Sequence, residues 1–195
     1  GQEIADMLGV SRAAVWKAVK QLQDEGYHIS AGRNRGYILE NQTDVLSAEG
    51  IRLYLPEAYR NNDVRVFRTV SSTNTEAKTA ALNGASHGTI IAADGQTAGR
   101  GRFGKAFYSP ADTGLYMSVI LKPDKPLSDC FPITAAAACA ITGSIEELCG
   151  VTAGIKWVND IFYSGRKICG ILTEAMSDFE SGMAEVVIVG IGVNI

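Results

Sequence analysis

The 195-residue chain reads as an α+β protein in two parts. A small helical module closed by a hairpin comes first, then a larger domain on a mixed, largely antiparallel sheet with helices on one face. Three observations predict this. Residues 1–40 hold two short apolar patterns of helical period, split by Gly9, and then an alternating stretch. The polar run ENQTD at 40–44 sets a boundary near residues 41–46, so 1–42 and 43–195 are expected to be separate domains. Beyond it strands outnumber helices and several adjoin through short connections, which antiparallel neighbours permit and parallel ones do not.

In the first part Ile4, Met7 and Leu8 place an apolar face on a short helix that Gly9 breaks. Ser11 offers an N-cap for a second helix, SRAAVWKAVKQLQDEG, closed by Gly26. On it Val15, Val19 and Leu22 face inward, while Ala13, Trp16, Lys17 and Lys20 share the other side. YHIS, the basic turn AGRNRG and YILE then alternate as a hairpin with Arg33 and Arg35 at its tip. Together these make a winged helix-turn-helix. Its charges cancel, Arg12, Lys17, Lys20, Arg33 and Arg35 against Glu3, Asp6, Asp24, Glu25 and Glu40. The basic residues nevertheless segregate to the outer helix face and the hairpin tip, where a major groove and flanking phosphates would lie. Arg12, Trp16, Lys17, Lys20, Arg33 and Arg35 are therefore the candidate DNA contacts. Ordinary solvated charges, or a protein-contact role for the module, are the alternatives.

The larger part begins with a helix near 47–55 and a strand in VRVFRTV, followed by a helix opening at SSTNTEAKTAAL and a strand in GTIIAAD. After a glycine-rich loop come a strand in LYMSVILK, a long helix from Ser128 to Cys149, and strands in GIKWV, DIFY, KICGILTEAM and AEVVIVGIGV.

The loop, DGQTAGRGRFGKAFYSP at 94–110, spells both G-x-G-x-x-G and most of G-x-x-x-x-G-K. Either phosphate cradle needs a helix to open directly after the glycines, so that N–H groups and dipole meet the anion. Here KAFYSPADTG runs straight into a strand, and Ala106 stands where a P-loop needs Ser or Thr. Both readings fail. What remains is a flexible loop carrying Arg100, Arg102 and Lys105, which self-repel until an anion arrives. That points to a lid ordered by a polyanionic small molecule, a solvated surface loop being the alternative.

Composition narrows the rest. Eighteen basic and 21 acidic residues give a net charge of −3, which excludes a bulk electrostatic coat for nucleic acid. Cys130, Cys139, Cys149 and Cys169 lack the close spacing of a zinc clamp and read as reduced thiols of a cytoplasmic protein. No continuous apolar run reaches membrane-spanning length and no signal peptide opens the chain. Both ends are abrupt, GQEIADMLGV already helical and VVIVGIGVNI mid-strand, so a fragment trimmed at both ends is expected.

Two further clusters carry chemistry. Lys156, between Ile155 and Trp157, would be costly to bury without a negative partner, unless it is an edge-strand lysine whose head reaches water. Asn159 and Asp160 after it offer oxygens to magnesium, or simply make a turn. In SSTN, Ser72, Thr73 and Asn74 put more polar groups at a helix start than a cap requires.

Taken in order, SSTN, GQTAGRGRFGKAFYSP, KWVND, KICGIL and GIGVN resemble the motif series of biotin protein ligases. With GVSRAAVWK in a winged helix, the chain resembles the bifunctional type that also represses the biotin operon. The resemblance implies a class II aminoacyl-tRNA synthetase-like catalytic domain after the winged helix, and the small C-terminal SH3-like domain into which the family continues is expected to be absent from this sequence. It implies ATP-dependent formation of biotinyl-5'-AMP, then transfer of biotin to a lysine of biotin carboxyl carrier protein.

On that resemblance, biotin would be bound by Ser72, Thr73, Asn74, Gln96, Arg100, Gly101, Arg102, Lys156, Gly190 and Gly192. The nucleotide would be bound by Arg102, Lys105, Phe107, Asn159 and Asn194, with Arg102 and Lys156 catalytic. Magnesium would be held mainly by phosphates, its protein ligands being unassigned. Partners implied are operator DNA and a second copy of the chain once the adenylate is bound, with no membrane. This sequence departs from the family at Val158, usually Pro, at Lys105, usually Arg, and at Phe107, usually Trp. A biotin-sensing repressor or binding module without transfer, and a lipoate-type acyl ligase, are the competing readings.

Overall fold

Gly9 ends the first helix by taking φ 64° and ψ 31°, a conformation that a side chain disfavours. The structure is a computed structural model and describes residues 1–32, 35–40, 44–178 and 180–195. It divides into two units, Gly1–Gly50 and Ile51–Ile195. In the first, α1 (Gln2–Leu8) is followed by α2 (Arg12–Asp24), capped by Ser11, whose Oγ accepts from Ala14 N at 3.2 Å. β1 (Ile29–Gly32) and β2 (Gly36–Leu39) pair antiparallel with Gly32 opposite Gly36.

The inward face is narrower than the apolar pattern suggests. Ala5 and Val15 are buried and Ile4 and Val19 half-buried, but Met7 and Leu8 are 83% and 65% exposed and Leu22 is also exposed. Two short helices and a hairpin have too little facing surface to cover a whole apolar stripe. Arg12, Trp16, Lys17, Lys20 and Arg35 are all exposed. Arg33 lies outside the described residues.

α3 (Ala48–Tyr54) spans the junction between the units. The second unit then runs through β3 (Val64–Val70), α4 (Thr73–Leu82), β4 (Ile90–Gln96), β5 (Gly114–Leu121), β6 (Lys125–Pro126), α5 (Pro132–Cys149), β7 (Gly154–Lys156), β8 (Asp160–Tyr163), β9 (Arg166–Ser177) and β10 (Met183–Asn194). The sheet order is β3-β4-β5-β10-β9-β8-β7, with β6 beside β10. Among the described strands only β3 and β4 are parallel, and α4 connects them.

The helices divide between the two faces, which corrects the expectation of one covered face. Ala77, Ala80 and Ala81 of α4 pack with Ile91, Ile120, Val186 and Ile188, whereas α5 packs through Ala138 with Ile171, Val187, Val189 and Ile191. Along β10 these two sets alternate residue by residue, so they point to opposite sides. Strands buried on both faces read as continuous apolar runs, and AEVVIVGIGV is one. The long helix also starts later than Ser128: Leu127–Cys130 is a 3-10 turn, and Pro132 takes the first helical turn, where its missing N–H costs nothing. Leu127–Cys149 is long and apolar enough, by length and composition, to cross a membrane, with mean hydropathy 1.2. Asp129, Glu146 and Glu147 hide this from a search for unbroken apolar runs. Ile133, Ala137, Ile141 and Ile145 pack one side of it on the sheet, and 11% of its apolar window is buried.

Candidate functional site

α4 begins where β3 ends, and this brings the SSTN cluster over the middle of the sheet. Ser72 occupies the N-cap position, yet its side chain makes no capping bond. Thr73 N donates to Gln96 Oε1 at 2.8 Å, and Gln96 Nε2 donates to Ser109 Oγ at 2.9 Å. Asn74 is held on both sides, its Nδ2 donating to Glu174 Oε2 at 2.7 Å and its Oδ1 accepting from Ser118 Oγ at 2.6 Å. Gly190 lets β10 pass beneath, because a methyl there would overlap Asn74 Oδ1.

The glycine loop meets β5 at Gly114 with no α-helix between, only a 3-10 turn at Arg102–Gly104, so neither phosphate cradle is built. Its feet are tied by backbone bonds: Thr97 N to Val70 O at 2.9 Å, Ala98 N to Ser71 O at 2.8 Å and Phe107 N to Gly99 O at 2.8 Å. Its two arginines are docked apart. Arg100 donates to Thr75 Oγ1 at 3.0 Å, and Arg102 donates to Asn159 Oδ1 at 3.0 Å while stacking over the Phe103 ring. Phe107 lies on Gly170 and Gly192, where any side chain would strike its ring.

These elements enclose a cleft lined by Ser72, Thr73, Asn74, Gln96, Arg100, Gly101, Arg102, Phe107, Asn159, Gly190 and Gly192 of the expected set, and also by Lys167, Gly170, Ile171 and Leu172. Three expected residues do not line it. Lys105 is exposed at the loop tip. Asn194 is outside the lining, its Oδ1 buried without a partner among the described residues. Lys156 is exposed at the sheet's edge strand, its Nζ over the Phe162 ring at 5.4 Å. The lysine of the cleft is Lys167, paired with Asp160 at 2.7 Å and lying 5.9 Å from the Phe107 ring. The sequence expectation named Lys156, which lies outside this lining. Both lysines are exposed: the strand of GIKWV ends at Lys156 on the sheet edge, whereas Lys167 on β9 is held at the rim of the cleft by its pair with Asp160. The signal was present, since KICGIL contains Lys167.

Asn159 links the parts. Its Nδ2 donates to Asp160 Oδ1 at 2.9 Å and to Ile171 O at 3.3 Å, leaving Oδ1 for Arg102. Beneath this network Cys169 is fully buried, and burial pushes its thiol up to about 12, with nearby Lys167 opposing and Asp160 adding to the rise. A second cavity of about 340 Å³ shares Arg102, Asn159 and Ile171 with the cleft and is walled by Phe131, Trp157 and Val158. The cleft itself holds about 50 Å³, well under the roughly 300 Å³ of a small-ligand pocket. Phe107 and the loop fill it. Among the described residues no group of three or more His, Cys, Asp or Glu converges, and Asp160 is tied to Lys167 and Asn159. Among the described residues there is thus no ready cage for a metal, and the donor set fits magnesium arriving on substrate phosphates.

Comparison with known proteins places this arrangement. Residues 66–194 match the biotin/lipoate A/B protein ligase family, and residues 1–38 match an HTH domain. The bifunctional ligase/repressor BirA of Bacillus subtilis is 42% identical over 195 residues, which is 100% of this chain and 59% of that protein. The chain thus spans about three fifths of the length of the curated relatives it matches. Among solved structures, the biotin protein ligase of Aquifex aeolicus in complex with biotin and ATP is 30% identical with a TM-score of 0.57, covering 68% of this chain and 52% of that one. The Leishmania major enzyme in complex with biotinyl-5-AMP is 28% identical with a TM-score of 0.53, covering 72% and 58%. A helix-turn-helix unit thus precedes a mixed-sheet domain of the class II synthetase-like fold, and the chain belongs to the biotin/lipoate A/B protein ligase family.

Proposed function

We propose that this chain joins biotin and ATP into biotinyl-5'-AMP, hands the biotinyl group to a lysine of biotin carboxyl carrier protein, and represses transcription in response to biotin. The observation that carries the reading is one cleft in which the SSTN cluster, the arginine loop and Lys167 converge on a glycine-paved sheet. The polar end, Ser72, Thr73, Asn74 and Gln96, suits a cyclic urea, which needs donors and acceptors at fixed positions. The cationic end, Arg100, Arg102 and Lys167, suits a carboxylate and a phosphate. Phe107 and the loop must lift to admit both.

In the proposed reaction a biotin carboxylate oxygen attacks the α-phosphorus of ATP, the bond to pyrophosphate breaks, and negative charge is redistributed over the phosphate oxygens. Lys167 and Arg102 stabilise that charge in place of the water they exclude. Lys167 here takes the role first expected of Lys156. Asn159, with the aromatic walls of the second cavity, is the candidate seat for the adenine. The loop then shields the mixed anhydride from hydrolysis until the acceptor lysine's neutral amine attacks the acyl carbon and AMP leaves.

On the first unit, Arg12, Trp16, Lys17, Lys20 and Arg35 form the proposed operator face. Adenylate binding would favour a homodimer, and so the operator complex, with the carrier protein competing for the monomer. Biotin-dependent exchange of labelled pyrophosphate into ATP tests the enzyme reading directly. Exchange with biotin and none with lipoate is expected. The reverse preference, or none with either, would remove it.

A further inference from the structure

Resting on the reading of Thr73 as a biotin ligand, we infer that Glu174 is a positioning residue. It sets the direction of the hydrogen bonds at the α4 N-terminus and so makes Thr73 a pure acceptor for a ring N–H of the ligand's urea.

The argument follows the hydrogens. The Glu174 carboxylate takes Asn74 Nδ2 at 2.7 Å, and the Leu172 carbonyl lies 3.3 Å from the same nitrogen. Both neighbours are acceptors, so the amide must turn its nitrogen to them and its Oδ1 to Ser118. Ser118 Oγ, fully buried on β5, stands 2.6 Å from Asn74 Oδ1 and 2.8 Å from Thr73 Oγ1. It has one hydrogen for two close oxygens. Asn74 Oδ1 can only accept, so Ser118 donates there, and the contact with Thr73 must be made by the hydrogen of Thr73 itself. The other acceptor in reach, Gln96 Oε1 at 3.3 Å, already takes Thr73 N at 2.8 Å. In either geometry the Thr73 hydrogen stays inside the protein, and only lone pairs remain for the cleft that Thr73 lines.

A cyclic urea carries two N–H donors and one carbonyl acceptor, and Thr73 so wired can meet only a donor. Ser72, with no capping bond, remains free to rotate toward either. Without the Glu174 carboxylate, Asn74 loses its short, charge-assisted anchor and can turn its nitrogen to Ser118. Ser118 then donates to Thr73, and Thr73 offers a hydrogen to the cleft. Removing the Ser118 hydroxyl leaves the Thr73 hydrogen only the long 3.3 Å contact to Gln96 Oε1, which already takes Thr73 N, so the hydrogen can turn to the cleft.

The test compares biotin with the two cyclic carbamates in which one or the other urea N–H is replaced by oxygen. The full 195-residue chain is titrated calorimetrically with each, as wild type, Glu174→Ala, Glu174→Gln and Ser118→Ala. The wild type is expected to prefer biotin over one carbamate by at least about tenfold, because a site built around a donor leaves its acceptor unpaired with the analogue. That ratio should fall to within about threefold in Glu174→Ala and Ser118→Ala, and stay near wild type in Glu174→Gln, whose Oε1 still accepts. If Glu174→Ala fails to fold, Ser118→Ala decides. Discrimination that persists in the folded variants, or a wild type that binds all three ligands alike, overturns the relay and leaves the biotin reading standing. A wild type that binds none of them overturns both.

Discussion

A lysine head group is costly to strip of water, so a cation that serves an anion cleft needs a partner ready before the ligand arrives. Lys167 has Asp160 at 2.7 Å, while Lys156 lies exposed over the Phe162 ring. The pair is too exposed to count for much in stability, and its importance lies in holding the ammonium at the cleft. Cys169 lies beneath them. Burial raises its thiol from an ordinary 9.0 to about 12, so the folded state keeps a proton that the unfolded chain releases. This contribution to stability is whole below about pH 9 and is lost as pH rises toward about 12. Denaturant titrations at about pH 8.5 and about pH 10.5 should show wild type losing more unfolding free energy than Cys169→Ala, and equal losses would deny the shift. At Gly190, an alanine must displace Asn74 or bend β10. A stability loss of roughly 1–3 kcal/mol in chemical denaturation is expected, with biotin binding lost as well. The SSTN cluster and the glycines could be read locally because each motif carries its own chemistry. Lys167 sits in the motif KICGIL, but its place at the cleft, like the roles of Ser118 and Glu174, depends on strand register.

At the scale of elements the loop is the informative piece. Its glycine spacing suggested a phosphate cradle, and the absence of room for a helix between Gly104 and β5 removed that reading from sequence alone. Its anchors were not readable in the same way. The backbone bonds at its feet and the docking of Arg100 on Thr75 and Arg102 on Asn159 join segments far apart in sequence. Because the cleft is nearly filled, ligand entry must first break these contacts. Limited proteolysis should therefore cut at the exposed Arg102 to Lys105 tip, and biotin with ATP should protect it several-fold. Cleavage unchanged by both ligands would contradict a closing loop. The two-faced sheet was missed for a related reason: alternation in AEVVIVGIGV is hidden when both faces are apolar, and which helix covers which face depends on a strand order that is not sequential. In the first unit the helix limits were readable because Gly9 and Ser11 are local signals. Ser11→Ala should cost about 1 kcal/mol in a thermal or denaturant melt.

At the scale of the whole molecule, the proposed DNA-contacting unit and the proposed ligand-closing unit are coupled through ligand chemistry. If adenylate formation drives dimerisation, the affinity of the chain for an operator should rise at least about tenfold with biotin and ATP together, measured at one salt concentration. Lys17→Ala and Lys20→Ala should each lower affinity and reduce the salt slope by about one. Affinity indifferent to the ligands would separate the two activities. The central claim is that the cleft is a biotin-activating site whose essential cation is Lys167. Biotin-dependent pyrophosphate exchange, run on wild type, Lys167→Ala and Lys156→Ala side by side, tests it most directly. Loss of roughly 100-fold or more in Lys167→Ala, with Lys156→Ala within about threefold of wild type, is the predicted result. Full exchange in Lys167→Ala, or loss in Lys156→Ala alone, would contradict it.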